Sequence, residues 1–421
     1  MRKKIIQFLV LIPALLLTSC LDIFKEKETS ESAYPTTVQW TLLLNQARFS
    51  KPVVLGAFYY TYAFTDNGME VVKINIEKGE ICWRSEEHIS NDAFYDMDLL
   101  YSNGYLYAKY DYDESLYCYD DRTGTLAARL EFDFPLTCNS SAICYESYIY
   151  WPTCTMGGND GIVRFDTRKI DFSKNTEKPQ KIEAELFYRN TNQCSPINEN
   201  LIENNGIIYY LTESVEQQPD PTNYVGSLNA LTGEVIWEHK AGIPGGASNG
   251  MYIVNNRLYA MDWQLGCYEL ETGSTIFENV QTKEDQQHEV YVGTNLFTQG
   301  VTYYNGCFYY TGATTQLTFS VRPEEFCKNV ICVSAKDGKY VWGDLPPDSA
   351  SLSSIPIVID DKAYFFCSNN VGLRVYNAKT GELLGSNAMF RTDSMGIPVL
   401  YNDTIIFYNK TDGCLTCFNV E

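Results

Sequence analysis

The sequence is poor in basic residues and in histidine. It has 32 Lys and Arg against 53 Asp and Glu, and only 3 His, so its formal net charge is −21 at pH 7. A chain this acidic repels phosphate backbones and anionic lipid headgroups. We therefore expect no nucleic-acid partner, and no attachment to a membrane through surface charge.

Long apolar runs are also scarce. Spanning a bilayer as a helix takes about 20 apolar residues, and no segment after residue 20 has such a run. The longest run, residues 5–17, is too short and follows Arg-Lys-Lys at residues 2–4. A basic start followed by an apolar run of about 7–15 residues is typical of a secretory signal. The sequence therefore predicts an exported protein.

The end of this segment carries a more specific motif. Residues 17–20 read Leu-Thr-Ser-Cys and resemble the lipobox of bacterial lipoproteins. The resemblance implies cleavage after residue 19 and lipid on Cys20, which would hold the protein to the inner or outer membrane of the cell envelope. Several acyl chains give durable anchoring. The alternative is an ordinary secretory signal that happens to end at a Cys.

The segment after Cys20 has little to bury. Residues 21–35 are charged and contain Ser and Thr, so we predict a flexible tether over residues 20–35. The remainder, residues 36–421, is expected to form one folded domain. It is rich in aromatic residues, with 32 Tyr and 21 Phe in the whole chain, and this composition favours all-β structure.

Two short units recur along the body. The first is a two-residue turn followed by an aromatic strand, and its copies stand about 40–60 residues apart. The turns are Asn103-Gly104, Glu146-Ser147, Asn205-Gly206, Asn255-Asn256, Asn305-Gly306, Asp360-Asp361 and Asn402-Asp403. Such pairs favour tight hairpins because their residues tolerate positive φ.

The second unit is an alternating strand, a Gly turn and a short strand that often ends on Trp. Its glycines are Gly79, Gly124, Gly233, Gly273, Gly338 and Gly381, and its tryptophans are Trp83, Trp237 and Trp342. Tryptophan could stack on a sugar, but its fixed place in the repeat favours packing between neighbouring repeats. A degenerate copy stands at residues 162–170.

Together the two units describe a four-stranded propeller blade. The turns indicate seven blades, and residues 52–84 precede them as an eighth. The final blade has no fourth strand. We predict that residues 36–44 supply it, closing an eight-bladed β-propeller and removing an exposed β edge.

The units resemble the pyrroloquinoline quinone (PQQ)-type propeller repeat. The nearest copies are residues 229–237, NALTGEVIW, and 377–384, NAKTGELL. Within that superfamily, an eight-bladed lipoprotein resembles the propeller subunit of the outer-membrane protein assembly machinery, which implies a non-catalytic scaffold. The other branch, the quinoprotein alcohol dehydrogenases, has an adjacent pair of cysteines, and this sequence has no Cys-Cys pair.

The remaining chemistry-bearing residues indicate no catalytic, metal or cofactor site. No zinc-binding spacing and no nucleophile signature beside a His appears. Four cysteines occupy one equivalent third-strand position, where neighbouring copies are too far apart for a disulfide. They are Cys118, Cys267, Cys332 and Cys417, and we expect small buried hydrophobes.

The long connections indicate a recognition surface. Residues 214–224, 279–294 and 313–329 all fall on one predicted face of the ring, while residues 171–181 form an insertion on the other face. The candidate partner-binding residues are Gln217, Gln218, Asp220, Tyr224, Phe319, Arg322, Glu324 and Phe326. We expect a protein partner and a monomer outside any complex.

Two alternatives remain open: a quinone- or small-ligand-dependent dehydrogenase with a central-channel site, and an envelope glycan-binding protein.

Overall fold

The computed structural model describes the folded body with gaps. The described residues are 34–45, 50–66, 68–86, 88, 97–110, 115–133, 142–153, 161–174, 176–189, 194–195, 201–214, 223–241, 250–261, 265–278, 301–311, 330–344, 355–367, 372–391, 397–409 and 411–420. The predicted signal segment, Cys20 and most of the predicted tether lie outside them.

The first half of the chain forms four blades and a few extra strands. Two strands come first, β1 (Thr37–Leu43) and β2 (Ser50–Lys51). The first blade contains β3 (Val53–Leu55), β4 (Phe58–Phe64), β5 (Met69–Asn75) and β6 (Glu80–Arg84). The second contains β7 (Met97–Ser102), β8 (Tyr105–Lys109), β9 (Leu116–Asp120) and β10 (Leu126–Phe132).

The third and fourth blades carry the irregular pieces. The third has β11 (Ile143–Tyr145), β12 (Tyr148–Thr153), β13 (Gly161–Asp166), a 3₁₀ helix (Thr167–Lys169) and β15 (Glu185–Arg189). Between the helix and β15 lies β14 (Gln180–Ile182), which pairs with β10 of the second blade. A short ribbon joins β16 (Cys194–Ser195) to β19 (Glu213–Ser214). The fourth blade has β17 (Ile202–Asn204), β18 (Ile207–Leu211), β20 (Asn223–Asn229) and β21 (Val235–Ala241).

The second half is more regular. The fifth blade has β22 (Gly250–Val254), β23 (Arg257–Met261), β24 (Leu265–Glu269) and β25 (Thr275–Glu278). The sixth has β26 (Thr302–Tyr304), β27 (Cys307–Thr311), β28 (Val330–Ser334) and β29 (Tyr340–Asp344). The seventh has β30 (Ile357–Ile359), β31 (Lys362–Phe366), β32 (Leu373–Asn377) and β33 (Leu383–Asn387). The eighth has β34 (Val399–Tyr401), β35 (Thr404–Asn409) and β36 (Cys414–Asn419).

The eighth blade takes its outer strand from the other end of the body. The sheet order is β1-β36-β35-β34, and β1 pairs antiparallel with β36 from Thr37 opposite Asn419 to Leu43 opposite Cys414. The predicted closure of an eight-bladed, all-β propeller by the N-terminal strand is therefore confirmed.

The turns after each first strand explain the regular repeat. Asn103 has φ 51° and Gly104 has φ 84°, so both central residues are left-handed, as a tight hairpin requires. Asn and Asp adopt this conformation with less strain than most residues, and they fill both positions at Asn255-Asn256 and Asp360-Asp361. These turns hold the first two strands of a blade in register.

The core lies between neighbouring blades. Tyr62 and Val71 of the first blade pack with Leu106 and Tyr119 of the second, and all four side chains are fully buried. The second blade packs on the first with one face and on the third with the other, so an isolated blade would leave two apolar faces in water. We name the strands of a blade A to D in the order β3, β4, β5, β6. The loop face carries the B–C and D–A connections, and the turn face carries the A–B and C–D connections.

Candidate functional site

The predicted tryptophans lie at the joints between blades. Each stands on a D strand and covers the C–D glycine of the next blade. A Cβ atom added at Gly124 would lie 2.6 Å from the ring of Trp83, and one at Gly273 would lie 2.4 Å from Trp237. The Trp83 Nε1 also donates to the Asp121 carbonyl at 2.7 Å. The glycine is therefore needed for close approach as well as for its positive φ.

The other tryptophan joints repeat this arrangement. Trp342 Nε1 donates to the Ala378 carbonyl at 2.7 Å, and a Cβ at Gly381 would lie 2.7 Å from its ring. The Trp237 Nε1 donates to the Leu270 carbonyl at 3.2 Å. At Gly233 the neighbour is Phe187 rather than a Trp, with its ring 3.2 Å from the added Cβ. Gly338 adopts φ 66° in the corresponding turn of the sixth blade.

One tryptophan of this set was missed by sequence reasoning. Trp40 lies on β1, covers Gly79 of the first blade and donates its Nε1 to the Ile76 carbonyl at 2.7 Å. The signal is present in the sequence, because Trp40 occupies the position in the predicted outer strand, residues 36–44, that Trp83 occupies in the first blade. The ring is thus closed by a side-chain contact as well as by backbone pairing.

The four cysteines of the repeat share one register. Cys118 stands opposite Ala128, Cys267 opposite Phe277, Cys332 opposite Trp342 and Cys417 opposite Trp40. All four are buried and free, and burial raises the pKa of each thiol. A thiol held protonated is a poor nucleophile and a poor metal ligand, which agrees with the expected packing role.

Most of the predicted partner-binding residues lie outside the described part of the chain: Gln217, Gln218, Asp220, Phe319, Arg322, Glu324 and Phe326. Tyr224 is described and lies near the start of β20. Its N–H donates to Thr212 Oγ1 at 2.9 Å, and its carbonyl accepts from the Thr212 N–H at 2.8 Å. Tyr224 is therefore part of the stem of the B–C connection on the loop face.

A cavity of about 330 Å³ opens between the eighth and first blades. We call it the closure cavity. Its described walls come from the end of β1, the end of β4 and the end of β6, so it lies on the loop face. The described lining residues are Leu43, Leu44, Asn45, Phe64, Thr65, Asp66 and Arg84.

Backbone hydrogen bonds hold the walls of the closure cavity together. The Phe64 N–H donates to the Asn45 carbonyl at 2.7 Å, which ties the first blade to the strand that closes the ring. The Thr65 N–H donates to the Gly68 carbonyl at 2.8 Å and forms a tight B–C turn. Arg84 forms an ion pair with Glu70, whose side chain is 5% exposed.

Carboxylates on three neighbouring outer strands accept hydrogen bonds from buried tyrosines. Glu238 Oε2 accepts from Tyr188 at 2.7 Å and from Tyr210 at 2.6 Å. Tyr268 donates to Glu278 at 2.8 Å, and Tyr376 donates to Asp344 at 2.8 Å. Burial and the nearby carboxylate raise the pKa of Tyr210, so its hydroxyl remains a donor. The contacts to Glu238 and Asp344 cross the joints between blades three and four and between blades six and seven, and the contact to Glu278 lies within the fifth blade.

His88 lies in an aromatic cluster that no sequence motif indicates. Its Nε2 lies 2.7 Å from the Tyr119 hydroxyl, which is 2.9 Å from the Tyr110 hydroxyl. The imidazole also stacks on Tyr110, with ring centroids 4.3 Å apart. The backbone of His88 pairs with Met69, so this cluster anchors the start of the D–A connection after β6.

The described residues offer little for metal or membrane chemistry. Within the ranges that the structure describes, no group of three or more His, Cys, Asp or Glu side chains could hold a metal ion. In those same ranges no helix is long and apolar enough to span a bilayer.

Comparison with known proteins identifies relatives of the fold. Residues 221–421 match the family model described as outer membrane protein assembly factor BamB. No curated protein sequence matches the chain. The crystal structure of BamB from Moraxella catarrhalis is similar with a TM-score of 0.59 and 13% identity, covering 92% of this chain and 98% of that one.

Two further solved structures share the architecture. Quinohemoprotein alcohol dehydrogenase from Comamonas testosteroni is similar with a TM-score of 0.59 and 10% identity, covering 91% of this chain and 76% of that one. The computationally designed Ika8 protein has the same TM-score, 10% identity, and coverage of 91% and 99%. At these identities the likeness shows the fold, which is common to an assembly factor, enzymes and a designed protein.

Proposed function

From the premise that this chain is a PQQ-type β-propeller resembling BamB, we propose that it is a protein-interaction scaffold of the bacterial cell envelope, acting in outer-membrane protein assembly. The observation that carries the proposal is the match of residues 221–421 to the BamB family model. The propeller supports it physically, because a rigid ring with long connections on one face can present those connections to a partner.

The attachment to the membrane is part of the proposal. Residues 1–19 act as the signal, and Cys20 carries lipid. The tether of residues 20–35 leads directly into β1, whose first residue pairs with Asn419 at the turn-face end of β36. The lipid is then attached to the turn-face end of the closing strand. The loop face, at the opposite end of that strand, is left for the partner.

Affinity capture from solubilised envelopes tests this function. The full chain, tagged at its C-terminus and expressed in its own host, should recover the barrel-assembly components. Deleting residues 217–222 should weaken that recovery without unfolding the ring. The control replaces residues 173–178, in the insertion on the turn face, with a Gly-Ser segment of the same length and should leave recovery unchanged. Equal recovery with the deletion and the control, or none with the intact chain, contradicts the proposal.

The second candidate function is a quinone-dependent dehydrogenase, because quinohemoprotein alcohol dehydrogenases share the fold. The sequence has no adjacent cysteines, and the side chains that the structure describes assemble no group of three metal ligands. The described residues therefore do not fit the quinone and its calcium. Dye-linked alcohol oxidation after adding the quinone and calcium would decide in favour of this candidate.

A further inference from the structure

The closure cavity holds the most exposed large apolar side chain among the described residues. Leu43 is 78% exposed, whereas the next residue, Leu44, is 2% exposed. Leu43 is the last residue of β1, and Phe64 lines the same cavity from the first blade. Leu43 and Phe64 both contribute apolar surface to the lining, and such surface leaves water when the cavity is filled.

The charges around the cavity favour a basic group. Arg84 lines the cavity and is 42% exposed, but its charge is offset by the ion pair with the buried Glu70 carboxylate. Asp66 lines the same cavity and adds a carboxylate. The chain as a whole carries a net charge of −21, which would attract a basic partner and raise its rate of association.

The shape of the cavity is set before anything binds. The Phe64–Asn45 hydrogen bond and the turn closed between Thr65 and Gly68 fix two of its walls. A wall held by backbone hydrogen bonds loses little conformational freedom on binding, so little of the favourable contact energy is offset by ordering of the site.

We propose that the closure cavity binds an extended segment of a protein partner in which an apolar side chain stands next to a Lys or Arg. The apolar side chain packs on Leu43 and Phe64, and the basic group pairs with Asp66. This inference rests on the proposed interaction role and adds a second contact site on the loop face, at the blade joint that closes the ring.

A binding experiment with purified protein tests it. The probes are two short fluorescein-labelled peptides, one alternating Val and Lys and the other alternating Val and Glu, measured by fluorescence anisotropy at about 0.15 M salt. The Val–Lys peptide should bind and the Val–Glu peptide should not. Leu43→Glu and Asp66→Asn should each weaken binding of the Val–Lys peptide about tenfold.

The Leu43→Glu variant separates the cavity from general attraction to an acidic protein. It adds a negative charge, so nonspecific attraction predicts tighter binding and the proposed contact predicts weaker binding. Ile236→Glu is the matched control, since Ile236 is 47% exposed on the fourth blade. It adds the same charge elsewhere and should not weaken binding. Thermal melting should be unchanged in both variants.

Equal binding of the Val–Lys peptide to the parent chain and the Leu43→Glu variant, or tighter binding to the variant, overturns the proposal. Absence of binding to the parent chain also overturns it. These outcomes involve only the purified chain and a peptide. Recovery of assembly components from envelopes can therefore succeed while this test fails, and the reverse also holds.

Discussion

Two neighbouring joints of the ring use different contacts. Between the first and second blades, Trp83 covers Gly124 and donates to the Asp121 carbonyl. Between the second and third blades, the outer strand has Ala128 where the first blade has Trp83, and the third blade has a 3₁₀ helix where the second has its glycine turn. Here β14 pairs in parallel with β10 instead.

The second joint is held by a strap, which we define as residues 170–174 and 176–182. Phe172 stacks on Tyr105 with ring centroids 3.9 Å apart. Gln180 clamps the base of the strap, donating to the Asp171 carbonyl at 2.8 Å and accepting from its N–H at 3.0 Å. A blade can therefore lose its packing tryptophan if a neighbouring insertion supplies backbone pairing and an aromatic contact. The strap also covers a β edge that would otherwise be exposed.

The largest expected effect is at the tryptophan joint. Trp83→Ala should lower the free energy of unfolding by about 3–5 kcal/mol, because a large cavity forms and the bond to the Asp121 carbonyl is lost. Guanidinium unfolding measures the change. Cys82→Ala, at the exposed neighbour, should change stability by less than about 0.5 kcal/mol. A loss at Trp83 no larger than at Cys82 would show that the joint is held by other contacts.

The glycines test close approach against backbone strain. Gly124→Ala should lower the free energy of unfolding by about 2–3 kcal/mol. Alanine is strained in the left-handed backbone conformation of this position, and its Cβ also meets the Trp83 ring. Gly104→Ala should lower it by about 1–2 kcal/mol, since a Cβ there meets nothing within 4 Å and only the strain of the left-handed backbone remains. Thermal and chemical unfolding of both variants gives the difference. Equal losses would mean that Trp83 moves aside at no cost.

The strap should show a smaller, more local effect. Phe172→Ala removes the stack on Tyr105 and should cost about 0.5–1.5 kcal/mol. Hydrogen exchange should accelerate in β14 and β10 while β5 and β6 keep their protection. Faster exchange spread evenly over all blades would show that the strap stabilises the whole ring rather than this one joint.

The smallest effect concerns a polar contact within the seventh blade, between its A–B turn and its C–D turn. Lys379 Nζ lies 2.5 Å from Asp361 Oδ2, and this hydrogen bond lowers the pKa of Asp361. A lowered carboxyl pKa gives stability that is full above the ordinary Asp value and is lost as the pH falls towards the folded-state value. The Asp361→Asn variant should therefore be as stable as the parent chain in acid and slightly less stable at neutral pH. In Lys379→Met, an NMR titration should find the pKa of Asp361 raised.

Much of this architecture could be predicted from sequence because the same short motifs recur in most of the blades. Turn pairs such as Asn103-Gly104 and the spacing from Gly233 to Trp237 reflect local backbone geometry, which needs no knowledge of distant residues. The closing strand could be predicted because the last blade was one strand short. The insertion near residues 171–181 was also located, on the turn face.

What could not be predicted depends on contacts between distant segments. Nothing in residues 180–182 indicates parallel pairing with β10, because the match is between backbone groups. His88 has no local motif, and its tyrosines come from other strands. The closure cavity likewise combines residues 43–45, 64–66 and 84, which meet only because β1 joins the eighth blade. The predicted role of residues 217–222 remains a prediction, since they lie outside the described ranges.

The closing strand has a consequence for the order of synthesis. Gln39 and Asn419, which hydrogen-bond across β1 and β36, are 380 residues apart in the chain. Bringing such distant strands together is slow and carries a loop-closure cost that nearer pairs avoid. Until β36 has been synthesised, β1 lacks the strand with which it pairs, although Gly79, which Trp40 covers, has already been made. A chain truncated before β36 could not close the ring through this pairing.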